Sequence, residues 1–146
     1  MKKIILGKKE ENTKYYFRET CFGIVYKNDK FYLTSKNGEI SLIGGGLEKG
    51  EDHIECLKRE FMEEAGLTII DYSEFITIDC FWLTRDNDNM ESLANFYIIE
   101  VSDKIENPTE VISKLELVDK SEILSKLPLP YHKEAIKIYI EQFLNK

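Results

Sequence analysis

Cysteine, proline and tryptophan are scarce in this chain of 146 residues: it has three Cys, three Pro and one Trp, and only two His. The thiols, Cys21, Cys56 and Cys80, are far apart and form neither a CxxC pair nor a Cys/His cluster of zinc spacing. That excludes a disulfide-stapled scaffold and a zinc finger, and it fits a reduced, cytoplasmic compartment. No linker-like tract and no internal repeat divides the chain, so a single domain spanning residues 1–146 is expected. Long apolar runs are missing too; Lys2 and Lys3 precede only Ile4, Ile5 and Leu6, far short of a signal peptide or membrane span, and no membrane partner is expected. Nor is there a basic surplus, with 20 Lys and Arg against 27 Asp and Glu and a net charge of −7. Broad binding to a nucleic-acid backbone wants a basic surface and is disfavoured. A small anionic substrate is compatible, because a divalent cation held by acidic side chains reverses the local field. Composition leaves self-association open.

What is present is ordinary globular material, 42% hydrophobic and 32% charged, enough to bury a core without staples. Thr20 to Tyr26 and Lys30 to Thr34 are rich in aromatic and β-branched residues and flank Lys27-Asn28-Asp29, which reads as a hairpin. Asn37-Gly38 marks a second turn. Ile40 to Ile43 predicts a short strand running into Gly44-Gly45-Gly46, after which the pattern becomes helical. Further strands are predicted at Leu67 to Tyr72, Phe75 to Leu83, Ala94 to Val101 and Leu115 to Val118, with the polar Asp86-Asn87-Asp88-Asn89 as a loop between strands. Asp119 and Glu122 have capping-box spacing before Ile123, and Tyr131 to Leu144 carries apolar residues at helical intervals. Strands and helices intermix, so the class is α/β or α+β, with sheet order undetermined.

The stretch after the glycines carries the chemistry. Asp52 and Glu55 are spaced as a capping box and Gly66 sits where a left-handed C-cap belongs, which predicts a helix from about His53 to about Ala65. At about 100° per residue, Ile54, Leu57, Phe61 and Ala65 share one sector, the expected core face, and Glu60, Glu63 and Glu64 fill the adjoining one. Carboxylates at i, i+3 and i+4 repel one another. No Lys or Arg at i+4 relieves them, since Leu67 and Thr68 follow, whereas a hard cation such as Mg²⁺ would. Taken alone, the glutamates read first as the solvated face of an amphipathic helix, and the glycines as a turn.

Read in register, Gly45, Glu51, Arg59, Glu60, Phe61, Glu63, Glu64, Gly66 and Leu67 resemble the Nudix box, G-x5-E-x7-R-E-U-x-E-E-x-G-U, where U is bulky and apolar. Nine specified positions in one window make the resemblance specific. Ile43, Ser41 and Phe61 depart from the commoner proline, tryptophan and aliphatic residues. The resemblance implies the Nudix fold, a mixed β-sheet sandwiched between α-helices. It also implies Mg²⁺-dependent hydrolysis of a phosphoanhydride in a nucleoside diphosphate linked to another moiety, with Mn²⁺ as an alternative ion and a MutT-like pyrophosphohydrolase as the default. Glu60, Glu63 and Glu64 would bind the metal, with the Gly44 carbonyl as a further candidate. Glu51 and Arg59 would pair to hold the loop against the helix. Gly45 and Gly46 would let the backbone approach metal and phosphates. Glu60 and Glu110, the latter in Asn107-Pro108-Thr109-Glu110, are the alternatives for general base. Trp82 is a candidate for stacking on the base, against the commoner reading of a core aromatic. His53 and His132, at helix starts, are expected to be exposed and not catalytic. The rival class is a non-catalytic nucleotide-sensing Nudix module, against which stand the intact glutamates and the lack of length for an added DNA-binding domain.

Overall fold

The computed structural model describes residues 1–145. Two tight turns shape its first half. Asn28 and Asp29 have φ of 53° and 62°, and Asn37 and Gly38 have 51° and 85°. A two-residue hairpin needs this left-handed pair, which Asn, Asp and Gly tolerate. The turns join β3 (Tyr26–Lys27) to β4 (Lys30–Lys36) and β4 to β5 (Glu39–Gly46), preceded by β1 (Lys2–Leu6) and β2 (Tyr16–Ile24). After β5 come α1 (His53–Ala65), the long antiparallel pair β6 (Leu67–Leu83) and β7 (Asn89–Ile105), and β8 (Ser113–Asp119). The chain ends in α2 (Ile123–Lys126), α3 (Pro130–Tyr139) and a π-helical turn over Ile140–Leu144.

The strands form one eight-stranded sheet in the order β1-β6-β7-β2-β5-β4-β3, with β8 on β4. It is mixed, because β1 runs parallel to β6 and β2 parallel to β7. Side chains alternate across a strand, and β2 shows where they go. Phe22 and Ile24 join a core with Tyr131, Ala135, Ile136 and Tyr139 of α3, whereas Cys21 and Val25 join a second core with Cys56, Leu57, Phe61 and Ala65 of α1. The sheet is thus sandwiched between α1 and α3. Leu57 and Phe61 are fully buried, each contributing about 1.5–3 kcal/mol to the attachment of α1. Among the described residues no helix is long and apolar enough to cross a membrane, and the three cysteines are free and buried.

The structure corrects several expectations. Gly44, Gly45 and Gly46 lie within β5 and pair with Phe22, Cys21 and Thr20 of β2, instead of forming a loop after the strand. The two strands expected over residues 67–83 are one, with a register shift between Glu74 and Ile76. Strand β1 was not anticipated. Asp119 closes β8 and binds the backbone and hydroxyl of Ser121, so it forms no capping box with Glu122. The last helix is α-helical only to Tyr139. His132 is completely buried, against Phe22, Phe96 and Tyr131, with its Nδ1 accepting the Leu42 N–H at 3.3 Å. The amphipathic pattern of α3 puts it on the core face.

Candidate active site

Helix α1 is fixed at both ends by local bonds. The Asp52 carboxylate accepts the Glu55 N–H at 2.8 Å and the Glu55 carboxylate accepts the Asp52 N–H at 3.2 Å, completing the capping box. At the other end Gly66 has φ 65° and returns its N–H to Met62 and Phe61. A Cβ there would lie 1.9 Å from the Glu106 carbonyl oxygen, because the chain beyond β7 is laid against this helix end. The Glu106, Thr109 and Glu110 N–H groups donate to the carbonyls of Gly66, Met62 and Glu63 at 2.9, 3.3 and 2.9 Å. Those acceptors include carbonyls that a helix C-terminus leaves without an internal donor. The bonds carry Glu110 to the glutamates of α1.

Glu60 and Glu64 are only 8% and 2% exposed, so the solvated-face explanation fails for both. Two basic side chains meet the carboxylates. Arg59 grips Glu51 through both oxygens, Nε to Oε2 at 2.6 Å and Nη2 to Oε1 at 2.8 Å, and its Nη1 reaches Glu60 at 2.6 Å and Glu63 at 3.2 Å. Its Nη2 also donates to the Gly46 carbonyl at 3.2 Å, tying β5 to the helix. The second cation is Lys36, at the end of β4. Its Nζ stands 2.9 Å from Glu64 Oε2 and 3.1 Å from Glu110 Oε1. No basic residue follows the glutamates at i+4, as the sequence showed, yet two cations relieve them from elsewhere. Arg59 lies four residues before Glu63, not after it, and Lys36 comes from another strand.

The glycines make room for this. Gly44 has φ 153° and a Cβ there would sit 2.1 Å from the Cys21 carbonyl oxygen, which no other residue could accommodate unchanged. Its N–H donates to Glu64 Oε1 at 2.8 Å. A Cβ on Gly45 would come within 3.0 Å of the Glu60 carboxyl. The bare backbone of β5 thus lets two carboxylates of α1 lie against the sheet.

Environment divides the acids. The bonds from Arg59 push Glu51 down to about 2, and Glu51 in turn holds the guanidinium protonated. Burial raises Glu60, with Arg59 opposing it, and burial pushes Glu64 up to about 7 against the pull of Lys36 and the Gly44 N–H. Glu110 is lowered, first by the Ser113 hydroxyl at 2.5 Å and then by Lys36. Burial opposes the Lys36 ammonium, but its bonds to Glu64 and Glu110 outweigh that and hold it protonated.

Among the described residues, no three acidic, His or Cys side chains converge as metal ligands in their present rotamers, since Arg59 and Lys36 stand between the carboxylates. The donor chemistry nonetheless fits a hard divalent cation: carboxylate oxygens only, two of them on buried groups whose charge is costly to keep unpaired.

Of the residues singled out in the sequence, Gly44, Gly45, Gly46, Glu51, Arg59, Glu60, Glu63, Glu64 and Glu110 come together. Trp82 does not. It packs on the α3 side, 6.0 Å from the Tyr131 ring, with its indole N–H donating to Ser92 Oγ at 2.9 Å. His53 binds Tyr97 Oη at 2.8 Å and lies 3.4 Å from Glu19, partners other than Glu60, Glu63 and Glu64. Sequence reasoning missed Lys36, Ser113 and Thr34, whose hydroxyl donates to the Glu64 carbonyl at 3.0 Å. The Asn37-Gly38 turn marked Lys36 as the end of a strand, but nothing local linked it to α1.

Residues 17–142 match the family model of the NUDIX domain. Comparison with curated proteins returns no match. Among solved structures, the chain is similar to a MutT protein from Bacillus halodurans, at 24% identity and TM-score 0.67 over 82% of this chain and 80% of that one. It is also similar to a NUDIX hydrolase from Nitrosomonas europaea, at 17% identity and TM-score 0.65 over 86% and 89% of the two chains. A MutT NUDIX hydrolase from Burkholderia pseudomallei aligns at 18% identity and TM-score 0.63 over 84% and 97%. At these identities the structures speak for the fold.

Proposed function

Because this chain belongs to the Nudix family of pyrophosphohydrolases, we propose that it hydrolyses a phosphoanhydride in a nucleoside diphosphate linked to a further moiety. We assign Mg²⁺, with Mn²⁺ as substitute, to Glu60, Glu63 and Glu64, and place the whole activity in a single domain of residues 1–146. The observation that carries this reading is the burial of Glu60 and Glu64 beside the bare backbone of β5, where an unpaired carboxylate is costly and an oxygen-seeking cation is favoured. A divalent cation, when bound, supplies neutralisation of the phosphate oxygens and of the leaving group. The chain does the positioning. The two-point grip of Arg59 on Glu51 and its bond to the Gly46 carbonyl hold β5 and α1 at fixed separation. Glu60, raised by burial, is the better proton acceptor for an attacking water, whereas Glu110, lowered by Ser113 and Lys36, is suited to stay ionised. Gly45 and Gly46, whose bare backbone lies against the Glu60 carboxyl and the Arg18 guanidinium, are assigned to the approach of the substrate's phosphates. Trp82 lies across the sheet from the glutamates, so its stacking on the base is tested separately: a Trp82→Ala variant should raise KM with little change in kcat.

The test is phosphate release from a panel of nucleoside diphosphate derivatives, with and without Mg²⁺. Wild-type protein should turn over at least one member only with metal, and Glu63→Gln and Glu64→Gln should each abolish or greatly reduce that turnover while remaining folded. Wild-type rates in both variants would remove the metal assignment. Nucleotide binding without metal and without product would favour a sensing module instead.

A further inference from the structure

The Lys36 side chain belongs to neither the box nor its helix, yet it is the cation on which two separate carboxylates meet. It crosses from the end of β4 to Glu64, which is 2% exposed, and to Glu110, which the loop after β7 delivers. Its location is built, not incidental. Thr34, two residues earlier on the same face of β4, bonds the Glu64 carbonyl, and the pairing of Lys36 with Ser113 in the β4–β8 ladder sets it beside the residue whose hydroxyl holds Glu110.

We infer that Lys36 is a resident counter-ion and positioning residue of the carboxylate site: it holds Glu64 and Glu110 together in the metal-free protein and must give up Glu64 before a divalent cation can take it. The inference rests on the assignment of Glu64 as a metal ligand. Its physical basis is competition. One carboxylate oxygen cannot bond an ammonium at full strength and also ligate a dication, and a unit positive charge beside a divalent ion opposes binding across a partly buried, weakly screened separation. Such a lysine keeps the site assembled and sets its affinity lower than Glu60, Glu63 and Glu64 alone would give.

The experiment is Mn²⁺ titration followed by the electron paramagnetic resonance of the free ion, on full-length wild type, Lys36→Met, Lys36→Gln, Lys36→Arg and Glu64→Gln, with Mg²⁺ as competitor. Lys36→Met and Lys36→Gln should bind Mn²⁺ tighter by about tenfold or more, and Lys36→Arg, which keeps the charge, should restore affinity near wild type. In wild type, where no substitution can disturb folding, added Mg²⁺ should speed acylation of Lys36 by an activated ester, read by mass spectrometry, as the amine leaves its carboxylates. A lysine that merely props the loop would weaken metal binding when neutralised. Equal or weaker Mn²⁺ affinity in both neutral variants, or acylation indifferent to Mg²⁺, overturns the inference. An unchanged Mn²⁺ affinity with loss of nucleotide affinity overturns it in favour of a phosphate ligand. Undiminished Mn²⁺ binding by Glu64→Gln removes the metal reading itself and the inference with it; lost binding there, with no gain in the Lys36 variants, removes the inference alone.

Discussion

Glu64 makes the metal-free protein less stable than its fold would otherwise be, and the size of the effect follows from its burial. The carboxyl is 2% exposed and its pKa is pushed from 4.5 to about 7. In the unfolded chain it titrates at its ordinary value, so the folded state holds the proton more strongly. The contribution of Glu64 to stability is therefore most favourable below pH 4.5, falls as pH rises toward 7 and levels off above it. A shift of that size corresponds to about 3 kcal/mol between the two limits. Glutamine cannot ionise, accepts the Gly44 N–H as before and should erase this dependence. Urea unfolding in the presence of a chelator, at pH 4.5 and pH 8.5, measures it. The stability difference between wild type and Glu64→Gln should move by about 3 kcal/mol between the two conditions, in favour of the variant at high pH. Saturating Mg²⁺ should remove the disadvantage from wild type alone, and metal binding near pH 6 should release protons. A difference that is the same at both pH values would refute the reasoning, because it would mean that burial does not hold the proton on Glu64.

Gly23→Ala tests the seating of the helix: a Cβ there would lie 2.4 Å from Phe61 Cζ and 2.7 Å from Ile99 Cγ1. The variant should lose about 1–3 kcal/mol in urea unfolding and lose turnover as α1 is pushed from the sheet. His132, completely buried with a pKa lowered from 6.5 to about 3, must stay neutral in the fold. Its contribution is fully present above pH 6.5 and is lost as pH falls from 6.5 toward 3, at up to about 1.4 kcal/mol per pH unit. A His132→Gln variant should lack that part of the acid dependence in chelator-treated urea titrations.

How legible each part was depends on how local its causes are. Helix α1 was readable to its ends because both stops are made by residues within three positions of the boundary, Asp52 with Glu55 and Gly66 with Met62. The pairing of Arg59 with Glu51 followed from the resemblance to the box. Lys36 was invisible because its approach to Glu64 depends on the β4–β8 register and on the seating of α1, neither of which leaves a mark near residue 36. The long strands β6 and β7 were read as shorter pieces because exposed stretches, such as Ser73 and Glu74, lack the apolar alternation that burial imposes elsewhere. Strand β1 is five residues at the sheet edge, with one side unpaired and a parallel neighbour that lies some seventy residues away, as in Lys2 opposite Ile76, too little for a local pattern. His132 was misjudged because a helix start suggests solvent, whereas the core face of α3 begins at once with Tyr131 and His132.

The β4–β8 ladder, which sets Lys36 opposite Ser113, also orders events in time. Contacts between residues so far apart form slowly, since the loop they close must lose its freedom first. A refolding chain can wind α1 early on its own caps, and for that interval Glu60, Glu63 and Glu64 stand without the lysine and without Glu110. Recovery of far-ultraviolet helicity and recovery of the Lys36 bridge between Glu64 and Glu110 are thus separate clocks, and the second should run with the closing of the sheet's far edge.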